Sequence, residues 1–323
     1  MKIGARLVMT FLFLLLGISA GYSQQNYPDR LIKIIVPNPP GGLTDIVARV
    51  LAQKLAEAWG QSVIVENRPG GDELIAGEAV AKAMPDGYTL YAGSSTGVTI
   101  APQLHKDKKF DPLKDLTPIL IFGQATPVML VRSSLPANSV QEFIALVKSS
   151  PGKLNYGSFG SASYAHLAME DLKQRTGIDI MHIPYRGAAP AYTALLQGEI
   201  AVLIGNLAGA QVHVSSGKAK IVAAAGAKRS AFRPELPVIA ESVPGFATGA
   251  WWGLFGPADL PQAVIEKLRT EWTHALNTPE MRKVYETNSL EPVELPQAQL
   301  AQFLKEDQAH WAKLIKQVGL VVE

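Results

Sequence analysis

The residues best suited to chemistry sit in three polar, glycine-bearing loops. The first is Pro37-Asn38-Pro39-Pro40-Gly41-Gly42-Leu43-Thr44-Asp45. Its prolines stiffen the chain, and its two glycines allow positive φ and close backbone approach. Thr44 is the expected N-cap of a following helix, with Asp45 in the first turn. Free amides at a helix start form an anion site. Pro40, Gly41, Gly42, Leu43 and Thr44 are therefore expected to hold a negatively charged group. No lysine follows the glycines and no GxGxxG is present, which excludes a Walker A loop and a dinucleotide fingerprint. Taken alone, the segment also reads as a plain strand-to-helix turn.

The second loop, Asn155 to Ser163 (NYGSFGSAS), has the same form. Ser158, Ser161 and Ser163 put hydroxyl donors beside helix-start amides, and Phe159 and Gly160 lie between them. Ser163 alone could merely cap its helix. Two such loops facing each other across a cleft would hold a small anion with neutral donors. The third loop, Gly93-Ser94-Ser95-Thr96-Gly97, matches G-x-S-x-G, which would make Ser95 a nucleophile. That elbow needs a helix straight after the serine, and Val98 to Pro102 reads extended or irregular. Ser94, Ser95 and Thr96 are read instead as a hydroxyl-lined pocket wall. Asn206 is added to the expected ligand-binding set.

Other chemistries find less support. The six histidines show no HExxH or HxH pattern, so no metal site is expected. Carboxylates are scattered, with no pair suited to glycosidase work. Cysteine is absent, which excludes thiol catalysis, disulfides and a lipidated N-terminal cysteine. Trp251 and Trp252 read as core, although one ring could floor a cleft.

The elements that would position these loops alternate along the chain. Leu31 to Pro37 reads as a buried strand, and Thr44 to Trp59 as an amphipathic helix. Strands follow at Ser62 to Glu66, Tyr88 to Ala92, Pro127 to Val131, Leu154 to Gly157, Asp179 to Ile183, Ile200 to Ile204 and Ala219 to Ala225. Helices are expected over Glu73 to Ala83, Ser139 to Ser149, Ser163 to Thr176 and Pro190 to Gln197. This rhythm predicts an α/β chain with largely parallel sheets. Two long amphipathic helices, about 261–277 and 296–318, close the chain, and terminal helices of this kind pack back onto an earlier lobe. With 323 residues, about two domains are expected. The crossing points are 123–128 and 225–235. That gives a discontinuous lobe 1 of 24–125 and 231–323, and a lobe 2 of 126–230.

Lys2 and Arg6, the apolar run Leu7 to Ile18, and small residues from Ser19 to Ser23 have the layout of a cleaved signal peptide over 1–23. Cleavage is ambiguous between Ala20 and Ser23. The chain carries 30 Lys+Arg and 28 Asp+Glu, and removing 1–23 leaves 28 of each. No basic run suggests nucleic acid. Any anion site must therefore be local.

Tyr27-Pro28, VPNPPGGLTDIVAR (36–49), VENRPG (65–70), PDGYTL (85–90), YGSFGSASYAHL (156–167) and HIPYRGAAPA (182–191) stand in order along the chain, and with these landmarks it resembles the extracytoplasmic solute receptors of tripartite tricarboxylate transporters, the Bug receptors. Lys228-Arg229-Ser230, Trp252-Gly253-Leu254 and the segment around Trp311 follow. The resemblance implies a type II periplasmic binding protein fold, two α/β lobes with the ligand in the cleft. It implies a non-catalytic, periplasmic receptor that binds a small carboxylate and delivers it to membrane permease subunits. It implies a monomer without cofactors. It also implies carboxylate contacts from Pro39 to Thr44 and from Ser158 to Ser163, with Ser94 to Thr96 lining the same cleft. After NRPG the family usually continues with small residues and an asparagine. Here Gly71-Asp72-Glu73-Leu74 stands instead, so no binding role is carried onto 71–74. Leu43 and Phe159 are larger than usual at their positions, which favours an aromatic or longer-chain carboxylate; a dicarboxylate also fits. The alternatives are a secreted α/β serine hydrolase using Ser95, or a ligand sensor for a signalling partner.

Overall fold

The computed structural model describes residues 27–105, 110–125, 127–226, 228–229, 233–288 and 290–320. The segment read as a signal peptide, with both cleavage points, lies outside the described residues, as does Ser230.

Strand β1 (Ile32–Val36) is followed by helix α1 (Leu43–Trp59), and β2 (Val63–Asn67) by α2 (Leu74–Ala81). Strand β3 (Thr89–Ser94) runs into a π-helical turn, Thr96–Ile100. After β4 (Leu116–Ala125) come β5 (Val128–Arg132), α3 (Val140–Ser149), β6 (Asn155–Ser158) and α4 (Tyr164–Thr176). Then follow β7 (Met181–Pro184), α5 (Ala188–Gln197), β8 (Val202–Gly205), α6 (Leu207–Ser215) and β9 (Ala219–Ala224). The chain ends with β10 (Ala250–Pro257), α7 (Gln262–Leu276), α8 (Pro279–Asn288), β11 (Leu290–Glu291) and α9 (Gln297–Val318).

These strands form two sheets. One has the order β11-β4-β10-β3-β1-β2, the other β7-β6-β8-β5-β9. The largely parallel sheets expected from the sequence are in fact mixed. β1 pairs parallel with β2 and β3, but β10 lies antiparallel between β3 and β4. In the second sheet β5 lies antiparallel between β8 and β9. The cause is the crossing itself: the strand by which the chain enters each sheet after a crossing, β5 in one and β10 in the other, runs against the βαβ units. The two crossings are stitched together by Ala225 N–H to Pro127 O, 2.7 Å, and Thr248 N–H to Ala225 O, 2.8 Å.

Burial explains the pattern. In β1 the run IKIIV is buried at four of five positions, as a strand covered on both faces requires. Helix α1 buries Val47, Ala48, Leu51, Ala52 and Leu55, and stops at Gly60 in the left-handed region, φ 64°. Each fully buried Leu or Ile contributes about 1.5–3 kcal/mol. The core of the first sheet also takes in Leu300, Leu304, Trp311 and Leu314 from α9, so this half is built from both ends of the described chain. It includes Tyr164, Ala165 and Leu167 from the start of α4 as well. The second sheet has apolar clusters on its two faces, around Phe143 and Tyr156 and around Leu195 and Leu203.

Candidate functional site

At the start of α1, Gly41 takes φ +88° and Gly42 is the N-cap, in extended conformation. Thr44, the expected cap, lies inside the first turn and is buried. The first intrahelical bond is Ile46 N–H to Gly42 O, 3.0 Å, so the amides of Leu43 and Thr44 precede the ladder. Gly41 N–H instead donates to Asp45 Oδ2, 2.9 Å. Asp45 also accepts from Arg49 Nε, 3.0 Å, and from Asn67 Nδ2, 2.9 Å, and Asn67 Nδ2 reaches back to Asn38 O. Burial alone would raise the Asp45 pKa, but the bonds from Arg49, Gly41 and Asn67 outweigh it and lower it. A buried carboxylate thus fixes the loop from behind.

At the start of α4, Ser163 is the N-cap, and its hydroxyl donates to Gly160 O, 2.8 Å. Gly160 takes φ +137°. Ser158 is fully buried, with Oγ 2.8 Å from Gly160 O and 2.7 Å from His182 Nε2. His182 stacks on His166 with centroids 3.8 Å apart and planes at 11°. His166 Nδ1 bonds Ser161 O. The loop therefore rests on a pair of stacked imidazoles. Burial, with His166 and Lys173 adding repulsion, pushes the His182 pKa down to about 3.

After β3, the π-helical turn replaces the extended stretch expected over Val98 to Pro102. The β-branched residues there are poor helix formers, and tertiary bonding overrides them. Thr99 Oγ1 bonds Ser95 O at 3.0 Å, and Gln103 Nε2 bonds Gln308 O at 3.1 Å. A helical turn thus does follow Ser95. The serine is nonetheless fully buried, and its Oγ has no hydrogen-bond partner among the described residues. Among the described residues no base stands within hydrogen-bond reach of it.

The turn at 71–73 carries the unexpected features. Asp72 and Glu73 both take positive φ, 50° and 75°. Glu73 Oε2 accepts from Ser94 Oγ, 2.6 Å, and Gly97 N, 3.2 Å; Oε1 accepts from Asn38 Nδ2, 3.2 Å. Desolvation raises the Glu73 pKa against those bonds. Asp72 pairs with His105 Nε2 at 2.7 Å, and a Cβ on Gly160 would stand 2.3 Å from Asp72 Oδ1. A Cβ on Gly187 would stand 3.3 Å from Pro39 Cδ. The two halves touch at these glycines.

A cavity of about 760 Å³ lies between them. Gly42, Leu43 and Thr44 line it from the α1 start, and Ser94 and Thr96 from the third loop. Phe159, Gly160, Ser161 and Ser163 line it from the α4 start, and Asn206 from the end of β8. Pro40, Gly41, Ser95 and Ser158 are not among the lining residues. Pro40 and Gly41 are exposed, whereas Ser95 and Ser158 are fully buried. Sequence reasoning missed Asp72, Glu73, Tyr164 and Arg186 in the wall. Arg186 is exposed and has no ion-pair partner among the described residues. The HIPYRGAAPA landmark pointed to its loop without giving it a role. Of the paired tryptophans, Trp252 faces the cavity, while Trp251 Nε1 donates to the half-buried Asp307, 2.9 Å.

Two α/β halves joined by antiparallel crossings, with helix starts opening on a shared cleft, define a two-lobed solute-binding fold. Residues 47–320 match the tripartite tricarboxylate transporter family receptor, TctC. Protein BugT of Bordetella pertussis (strain Tohama I / ATCC BAA-589 / NCTC 13251) is 33% identical over 309 residues, 94% of each chain. A structure of R. palustris Rpa4515 with adipate is similar at TM-score 0.87 and 30% identity, over 91% of this chain and 99% of that one. MatC (Rpa3494) from Rhodopseudomonas palustris with bound malate gives TM-score 0.83 and 29% identity, over 90% and 100%. The chain belongs to the TctC (Bug) receptor family, whose members are periplasmic binding proteins rather than enzymes.

Proposed function

We propose that this protein captures a small carboxylate by closing its two halves on it and delivers it to permease subunits of a tripartite tricarboxylate transporter. The observation that carries this reading is that two helix starts, one from each half, open on a single cavity. In that reading the amides of Leu43 and Thr44 and those at the start of α4 hold the carboxylate, helped by the Ser161 hydroxyl, while Ser163 caps α4 and fixes the loop through Gly160 O. Arg186 supplies the nearby positive charge. The adipate and malate of two structural relatives support the ligand class. The apolar wall of Leu43, Phe159 and Trp252 suits an aromatic or extended chain. The proposal includes a lobe 1 of 24–125 and 231–323, a lobe 2 of 126–230, a signal peptide over 1–23, and a periplasmic monomer.

Each amide bond to a charged oxygen contributes roughly 1.5–3 kcal/mol. Roughly three or four of them, after ordering costs, support micromolar affinity, about −8 kcal/mol. A thermal-shift screen of the purified protein tests this, with mono-, di- and tricarboxylates, aromatic acids and neutral compounds such as nicotinamide. A ligand at 100 times its Kd adds about 2.7 kcal/mol, so a clear rise in Tm is expected for carboxylates. A rise with a neutral compound and none with any carboxylate refutes the clamp. Co-purification of permease subunits with the ligand-loaded protein tests delivery; capture of a histidine kinase instead would favour the sensor.

A further inference from the structure

The Glu73 carboxylate stands in the cavity wall and is held by neutral donors: the hydroxyl and amide of Ser94, the Gly97 amide and the Asn38 side chain. No Lys, Arg or His pairs with it among the described residues. Asp72, beside it, already has His105. A carboxylate in a partly desolvated wall without a countercharge favours any ligand group that supplies one. The Ser94 hydroxyl and the Gly97 amide reach Oε2 and the Asn38 side chain reaches Oε1, and none of these donors carries a charge.

Two further facts point the same way. Ser94 Oγ and Asn38 Nδ2 are neutral donors of lining residues that would serve a second ligand carboxylate, and Glu73 occupies them. The backbone also carries Asp72 and Glu73 in the left-handed region, where glycine is the low-cost residue and where strained residues cluster at functional sites. Side chains thus stand here at the expense of backbone strain, where the resemblance leads one to expect small residues.

We propose that Glu73 sets the ligand class: one carboxylate at the helix starts, paired with an N–H donor, an ammonium in the strongest case, at Glu73. A second carboxylate at that end is disfavoured. The proposal rests on the carboxylate-capture reading and narrows it.

The test uses probes matched in length but not in end group. Hexanoate, 6-aminohexanoate and adipate form one series; pentanoate, 5-aminopentanoate and glutarate another; butyrate, 4-aminobutyrate and succinate a third. Calorimetry on the purified protein should give the amino acid at least tenfold tighter binding than the diacid in one series or more. Glu73→Gln should cut that ratio about tenfold, and Glu73→Gly should shift it toward the diacid. The proposal is overturned if the diacid or the monoacid binds as tightly as the amino acid at every length, or if the ratio survives Glu73→Gln. The wild-type ratios decide the matter if a variant does not fold. If no member of any series binds, this reading falls, and the thermal-shift panel with its aromatic acids decides the carboxylate reading separately. If diacids bind best, only this one falls.

Discussion

Replacing Asp45 by alanine should loosen the α1 loop and weaken ligand binding together. Its carboxylate is 3% exposed and takes bonds from Gly41, Asn67 and Arg49. The Gly41 and Asn67 bonds are charge-assisted and worth about 1.5 kcal/mol each. The Arg49 pair counts for less, about 0.5 kcal/mol, because that side chain is 51% exposed and water replaces the partner. The expected loss is about 3.5 kcal/mol, or roughly 5–6 °C in Tm for a chain of this size. Arg49→Ala should cost under about 1 kcal/mol, since it leaves Gly41 and Asn67 bound. Ligand affinity should drop about tenfold in Asp45→Ala, as the Gly41 amide loses the acceptor that fixes the loop. The sign with pH follows from the depressed Asp45 pKa. Its contribution is complete above the unfolded value of about 3.9 and is lost as pH falls through the lower folded value. The Tm gap between wild type and Asp45→Ala should therefore be constant from pH 7 to 5 and close in stronger acid. Differential scanning calorimetry and titration calorimetry read both effects. Equal Tm losses for Asp45→Ala and Arg49→Ala, or unchanged affinity, would refute the reasoning.

The other contacts around the cavity make their own forecasts. Gly160→Ala puts a methyl 2.3 Å from Asp72 Oδ1 and forces φ +137° on a residue with a Cβ. About 1–3 kcal/mol of strain should cost ten- to hundredfold in affinity, and Asp72→Gly in the same chain should restore only the part due to the clash; a double-mutant cycle by calorimetry measures the coupling, and zero coupling would mean that the two halves do not meet there. The stacked His166 and His182 titrate below the ordinary histidine value, His182 at about 3, chiefly because of burial. Stability that depends on their neutral forms is complete above about pH 6.5 and is lost as pH falls toward about 3. Tm should therefore decline from pH 7 to 5, and His182→Gln should flatten that slope; a wild-type Tm that is level over this range would count against the stack as a support for the Ser158–Ser161 loop.

Much of this site was legible because it is local. A strand, a glycine-bearing turn and a helix start are written within nine residues, at 37–45 and again at 155–163, and both open on the cavity. What escaped depends on contacts between distant residues or on unusual backbone. Glu73 meets Ser94 and Gly97, 21 and 24 residues away, through a left-handed turn that residues with a Cβ seldom adopt. The mixed sheets escaped because an apolar run such as Ala250–Pro257, buried throughout, has no alternation to reveal its direction or neighbours. Trp251 and Trp252 could not be told apart by composition. Strand geometry separates them, since successive side chains leave opposite faces. One ring goes to Asp307 in α9, the other to the cavity.

Two carboxylates do opposite work at this cleft. Asp45 is outside the cavity, and the bonds that hold it below the usual range also fix the α1 loop that presents free amides to a ligand. Its charge is spent on Arg49, so the amides keep their positive ends for the ligand. Glu73 is inside, with its pKa raised by desolvation and with neutral donors alone around it. A ligand with a negative end alone gains from the helix starts and loses at Glu73. A ligand with opposite ends gains at both. Because both terms act in the same partly dry cavity, where charges are weakly screened, the second end weighs on selectivity as heavily as the first. On the proposed reading the helix starts supply the carboxylate grip, and this chain's departure at 72 and 73 bears on what stands at the other end of the ligand.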